Sequence, residues 1–267
     1  MKAIRLMPSS FTLKRRIAAG ETIIGSWLSF DNTLLAEMMA RVGFDFLTID
    51  MEHGHASNAG LLSLIQIIEL AGTTPLVRLA ANEPRLIKSA MDAGAHGIIV
   101  PDVRSAADAE RAGQAMYYPP KGRRGVGLAR AQGFGFDFDA YRHERLPQAI
   151  LVVQIEHYQA VADLEAILAV DAVDAFIVGP YDLSGSIGRP GEFDHPDVVA
   201  LLDRAETAIR SSSKPGGFHI VNSDEATMRK RLAGGCRFMA YGTEMIFLGE
   251  KLHDAAAFLS VLRGTPT

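Results

Sequence analysis

Ala149-Ile-Leu-Val-Val-Gln-Ile-Glu156 and Asp174-Ala-Phe-Ile-Val-Gly-Pro-Tyr-Asp-Leu-Ser184 decide how this chain is read. Each contains a short apolar run rich in β-branched residues, the pattern of a strand buried on both faces. A helical stretch lies between them. A strand–helix–strand unit makes the strands parallel and puts their C-terminal ends on one side of the sheet. Glu156 closes the first run and Asp182 lies just past the second, so the two carboxylates converge on one site. Two hard oxygen donors with open positions suit Mg²⁺ or Mn²⁺. At this point an equal alternative stands: each acid caps the helix that follows it or pairs with an arginine.

The same alternation runs outward in both directions. Strand-like segments fall at residues 23–28, 45–50, 74–79, 97–101, 150–156, 175–178, 217–221 and 237–241. Helix-like segments fall at 33–42, 57–71, 83–93, 105–116, 160–170, 196–211, 223–233 and 244–262, with Gly94 as a left-handed cap. Eight strands and eight helices in 267 residues predict one (β/α)₈ barrel spanning 1–267 as a single domain. A doubly wound open sheet competes, but Gly25-Ser-Trp-Leu-Ser-Phe30 is no glycine fingerprint.

A composition 48% hydrophobic and 22% charged is that of an ordinary globular protein. A net charge of −4 offers no global field for nucleic acid or anionic membrane. A single cysteine, Cys236, rules out an internal disulfide and a cysteine-based zinc cluster, and its context is that of a small buried residue. The first eight residues carry charges and a proline where a signal peptide needs a continuous apolar region, so a cytoplasmic location is expected. Residues 117–146 form a long loop whose Lys121, Arg123, Arg124 and Arg130 read as a solvated stretch or an intersubunit contact.

In a barrel the chemistry sits where the strands end. The second strand ends in Asp50-Met-Glu-His-Gly-His55, the third at Arg78, the fifth with Gln154 and Glu156, and the sixth leads to Asp182. A divalent ion on Glu156 and Asp182 would polarise a carbonyl. Arg78 would hold an oxyanion or carboxylate through its planar fork. His53 would move protons near neutral pH, oriented by Asp50 or Glu52. That division of labour describes enolate chemistry beside a carboxylate. No lysine falls in a buried strand, which argues against a Schiff base.

Six segments carry a family resemblance: Phe46-Leu-Thr-Ile-Asp-Met-Glu-His53, Pro75-Leu-Val-Arg78, Gly94-Ala-His-Gly-Ile-Ile-Val-Pro101, Tyr118-Pro-Pro-Lys-Gly-Arg-Arg-Gly-Val-Gly127, Gln154-Ile-Glu156 and Gly179-Pro-Tyr-Asp-Leu-Ser184. In this order they resemble the HpcH/HpaI class II pyruvate aldolases of the phosphoenolpyruvate/pyruvate barrel superfamily. The resemblance implies a metal-dependent aldolase that cleaves 4-hydroxy-2-oxo acids to pyruvate and an aldehyde. It implies His53 as base acting with Asp50, and Arg78 on the pyruvate oxygen. It implies Glu156 and Asp182 as ligands of Mg²⁺, Mn²⁺ or Co²⁺, Gln154 beside pyruvate, and backbone amides near Tyr181 and Asp182 for its carboxylate. It also implies a homohexamer that exchanges the last helix between subunits.

Departures at His157, Tyr158, Tyr181 and Gly242-Thr-Glu244 are expected to reshape the aldehyde pocket. Two other enzymes compete. One is a CoA-ester lyase of the citramalyl or malyl type. The other is a metal-dependent hydrolase built on His53, His55 and His157.

Overall fold

The computed structural model describes residues 12–264. Its strands are β1 (Ile23–Leu28), β2 (Phe46–Asp50), β3 (Thr74–Arg78), β4 (Gly97–Val100), β5 (Ile150–Ile155), β6 (Ala175–Val178), β7 (Gly216–Ile220) and β8 (Phe238–Thr243). All pair in parallel with their sequence neighbours, and β8 closes on β1. The expected (β/α)₈ barrel is therefore the fold.

The two-residue period of a strand sorts its side chains between two cores. Phe46, Leu76, Ile150, Val152 and Ile177 fill the barrel interior, where Phe46 stacks on Phe238 at 5.0 Å between ring centroids. Leu47, Ile49, Val77, Leu151 and Val153 face out under the helices. The same period carries Asp50, Arg78 and Gln154 inward at the last turn of their strands. Polar chemistry thus occupies the final interior layer, above a dry one.

Helix ends follow local chemistry. The Ser57 hydroxyl accepts the Gly60 amide at 3.0 Å, starting the helix Asn58–Leu70. Gly94 closes Pro84–Ala93 with φ of 102°, a left-handed conformation that disfavours a side chain.

The structure departs from the sequence reading in four places. The helix expected at 160–170 is two short helices, Tyr158–Ala162 and Leu164–Ala169. Asp163 leaves helical geometry between them, and its carboxylate takes the Ala106 amide at 2.9 Å. A short helix, Leu13–Ala18, was not expected; Leu13 and Ile17 pack against the interior core. A further one, Pro180–Gly185, opens on a proline, which suits a first helical position.

The long loop also differs from expectation. Arg124 is 2% exposed. Its guanidinium donates to the Met116 carbonyl at 2.9 Å and the Tyr141 hydroxyl at 2.7 Å, and it lies 4.2 Å from the Tyr118 ring centroid. Arg130 is buried against Glu69 and donates to the Ala93 carbonyl at 3.1 Å. Two of the four basic residues are thus internal fasteners, Arg124 under the loop's own Tyr118 and Tyr141 and Arg130 against Glu69.

Along the 20-residue final helix, Glu244–Arg263, only Glu244 is buried, while Leu248, Leu252, Phe258 and Val261 are exposed. No described helix is long and apolar enough to cross a membrane.

Candidate active site

The strand ends open into a cavity of ≈ 700 Å³. Its wall includes Asp50, His53, Arg78, Gln154, Tyr181 and Asp182, so six of the seven residues singled out from the sequence share one space. Glu156 is not part of that wall and is 8% exposed.

Asp50 and Arg78 are register partners on β2 and β3. The Arg78 Nε donates to Asp50 Oδ1 at 2.9 Å and an Nη to Oδ2 at 2.5 Å, a two-pronged pair. The other Nη lies 3.1 Å from Glu52 Oε2. Burial disfavours the Asp50 charge, but the Arg78 hydrogen bond and charge, with the amides of His53 and Glu52, outweigh it. The carboxyl is held below its ordinary range. Glu52 goes the other way: burial raises it against the pull of Arg78, and the charges of Asp50, Asp182 and Asp102 add to the rise.

Glu156 accepts the Asp102 amide at 2.6 Å, and its other oxygen accepts the Gln154 side-chain amide. Asp102 adopts φ of 51°, a conformation tolerated by aspartate, just past β4. Burial pushes the Glu156 carboxyl up to about 7. The two hydrogen bonds resist, while Glu52 and Asp182 reinforce the rise. Glu52 and Asp182 thus lie close enough to Glu156 for their charges to disfavour its ionisation, while Arg78 pairs with Glu52. Among the described residues, no three His, Cys, Asp or Glu side chains are arranged to hold a metal ion. A cation here would rest on two carboxylates and take its remaining oxygens from substrate and water, as Mg²⁺ does. The donor set and the repulsion of Glu156 by its neighbouring carboxylates both fit such an ion.

His53 is exposed on the cavity wall. Asp50 Oδ1 accepts the backbone N–H of His53 at 3.2 Å, so the acid anchors the loop that carries the imidazole. The loop can fold back because residue 54 is glycine: a Cβ there would sit 2.0 Å from the Asp50 carbonyl oxygen. His55 is exposed, donates its N–H to the Ser29 carbonyl at 2.9 Å, and lies off the cavity wall. The histidine cluster required by a hydrolase is not assembled.

Of the positions expected to reshape an aldehyde pocket, Tyr181 and Thr243 line the cavity. Tyr181 stands 62% exposed, edge-on to Phe193 at 4.9 Å. His157 caps the next helix by accepting the Gln159 amide at 3.2 Å. Glu244 is a buried tie whose Oε1 takes the Ser29 and Phe30 amides at 2.5 and 2.7 Å. Two further residues on the wall were not read from the sequence: Trp27 at the end of β1 and His219 on β7, stacked at 4.5 Å. Both occupy inward positions of their strands, and that parity is the signal that could have found them.

Polar groups at the strand ends over an apolar interior form the layout of a barrel enzyme. The sequence pattern of the HpcH/HpaI aldolase/citrate lyase family matches residues 24–248, and the chain belongs to that family. A hydroxypyruvate/pyruvate aldolase of Pseudomonas aeruginosa is 38% identical over 244 residues, 91% of this chain and 90% of that protein. A 4-hydroxy-2-oxo-heptane-1,7-dioate aldolase of Salmonella newport is 36% identical over 249 residues, 93% of this chain and 94% of the relative. The crystal structure of an HpcH/HpaI aldolase/citrate lyase family protein from Burkholderia cenocepacia superposes with a TM-score of 0.87. It is 31% identical and covers 94% of this chain and 99% of its own.

Proposed function

We propose that this protein is a divalent-metal-dependent aldolase that reversibly cleaves 4-hydroxy-2-oxo acids to pyruvate and an aldehyde through a pyruvate enolate. One observation carries the reading: Arg78, paired with Asp50 and Glu52, gathers at the strand ends with Glu156, whose carboxyl is raised by burial and by Glu52 and Asp182. Relatives named as aldolases support it.

Glu156 and Asp182 would hold the ion, which supplies Lewis-acid polarisation of the 2-oxo group when bound. Arg78, held by Asp50 and Glu52, presents a fixed cation to the same oxygen. Charge that develops on that oxygen as the C3–C4 bond breaks meets a donor already in place. His53 accepts the C4 hydroxyl proton, directly or through one water. Gln154 tethers Glu156 and lines the pyruvate side of the cavity. The first backbone amides of Pro180–Gly185, at Tyr181 and Asp182, receive the pyruvate carboxylate, since a helix start leaves such groups without helical partners.

The assembly we infer is a homohexamer in which Glu244–Arg263 lies on a neighbouring barrel. Its exposed Leu248, Leu252, Phe258 and Val261 motivate this.

The test incubates the protein with pyruvate, a panel of aldehydes and Mg²⁺, Mn²⁺ or Co²⁺, with mass spectrometry of the products. Adducts of pyruvate plus aldehyde mass are expected. Their absence across the panel, with CoA-ester cleavage in its place, would shift the assignment to the CoA-ester lyases.

A further inference from the structure

His219 lines the same cavity as Arg78, yet the proposed chemistry gives it no task. Its ring lies nearly parallel to Trp27, at 17° and 4.5 Å, and its Nε2 is 3.0 Å from the Gly242 carbonyl oxygen. A carbonyl only accepts, so Nε2 carries the proton. Burial pushes the imidazole down to about 4 despite the Gly242 bond; Arg78 adds to the fall and Asp50 opposes it. The ring is therefore neutral at physiological pH, and Nδ1 keeps a lone pair. Stack and hydrogen bond together fix the ring's orientation. The Arg78 guanidinium lies 5.6 Å from the centroid of the same Trp27 ring. Arg78 suits an oxyanion, whereas a bare lone pair suits only a donor.

We propose that His219 is a specificity-determining residue whose Nδ1 accepts a hydrogen bond from a substrate hydroxyl beside the reacting carbon, so that hydroxylated substrates are selected over their deoxy counterparts. This rests on the function proposed above. The hydroxyl belongs either to the 2-oxo acid or to the aldehyde.

The experiment compares kcat/KM in two pairs, hydroxypyruvate against pyruvate and glycolaldehyde against acetaldehyde, for wild type, His219→Leu and His219→Asn. The wild type is expected to prefer the hydroxylated member of one pair. His219→Leu should cut that preference roughly tenfold, the scale of one lost hydrogen bond. His219→Asn, whose Oδ1 falls near the place of Nδ1, should recover part of it. His219→Phe keeps the stack and serves as the acceptor-free variant if the leucine form does not fold. No preference in either wild-type pair, or ratios that survive in His219→Leu, would overturn the inference. So would equal losses in the leucine and asparagine variants, which would make His219 a packing residue. A wild type that forms no adduct and exchanges no pyruvate protons with any metal would bring down the aldolase reading itself. An active wild type with unaltered ratios removes only the role of His219.

Discussion

Asp50 and Arg78 face each other across neighbouring strands, in register and joined by two hydrogen bonds, with Glu52 on the remaining guanidinium nitrogen. The pair orients the cation and also couples the site to stability. Arg78→Lys keeps the charge and loses the fork. Pyruvate C3-proton exchange and aldol cleavage should both fall. Stability should drop by about 1–3 kcal/mol, because Asp50 loses buried donors. Urea denaturation beside the exchange assay checks both. Unchanged exchange with lowered stability would make Arg78 purely structural. Asp50 sits below its unfolded value, so its contribution is present above about pH 4 and fades as pH falls through the folded pKa.

Glu156 gives the opposite sign. Its folded pKa of about 7 exceeds the ordinary 4.5, so the fold favours the protonated carboxyl. In chelator, its contribution is fully present below about pH 4.5 and is lost as pH rises towards 7, up to roughly 3 kcal/mol. Glu156→Gln should flatten that part of the stability profile. A profile over pH 4.5–7 that is identical in the variant would remove the premise that burial and neighbouring carboxylates raise Glu156.

The β2 loop should be sensitive at two neighbouring positions for different reasons. His53→Ala should keep metal and pyruvate binding and turn over about 10²–10⁴-fold more slowly. Gly54→Ala places a methyl group against the Asp50 carbonyl, so the loop must move. Its turnover should fall too, with a loss of thermal stability that His53→Ala does not show. Loss of metal binding in His53→Ala, with Asp182→Ala retaining it, would contradict the assigned roles.

The last helix should report on assembly. Leu252→Glu and Phe258→Glu place charge on its exposed apolar surface. Light scattering should give a hexamer for the wild type and smaller species for the double variant. A monomeric wild type would rule out exchange of this helix between subunits.

Much of this arrangement was legible in the chain. Buried β-branched runs revealed the strands, and Asp50, Arg78, Gln154 and Glu156 stood out as polar residues at their ends. Trp27 and His219 escaped notice because an aromatic or imidazole ring in a strand reads as core, although strand parity places both on the inward face. Arg124 and Arg130 looked solvated because the contacts that bury them, Tyr118 and Tyr141 around Arg124 and Glu69 beside Arg130, form only when the loop folds. The break at Asp163 depends on a tertiary hydrogen bond to Ala106, which helical periodicity cannot register.

The central claim, a pyruvate enolate stabilised by Arg78 with a divalent ion on Glu156 and Asp182, can be tested without knowing the aldehyde. Pyruvate C3-proton exchange into D₂O is followed by NMR, first after exhaustive chelation and then with Mg²⁺, Mn²⁺ or Co²⁺ restored. The account predicts exchange that disappears with the metal and returns on its addition. Full exchange in the chelated protein, or none with any of the three ions, would contradict it.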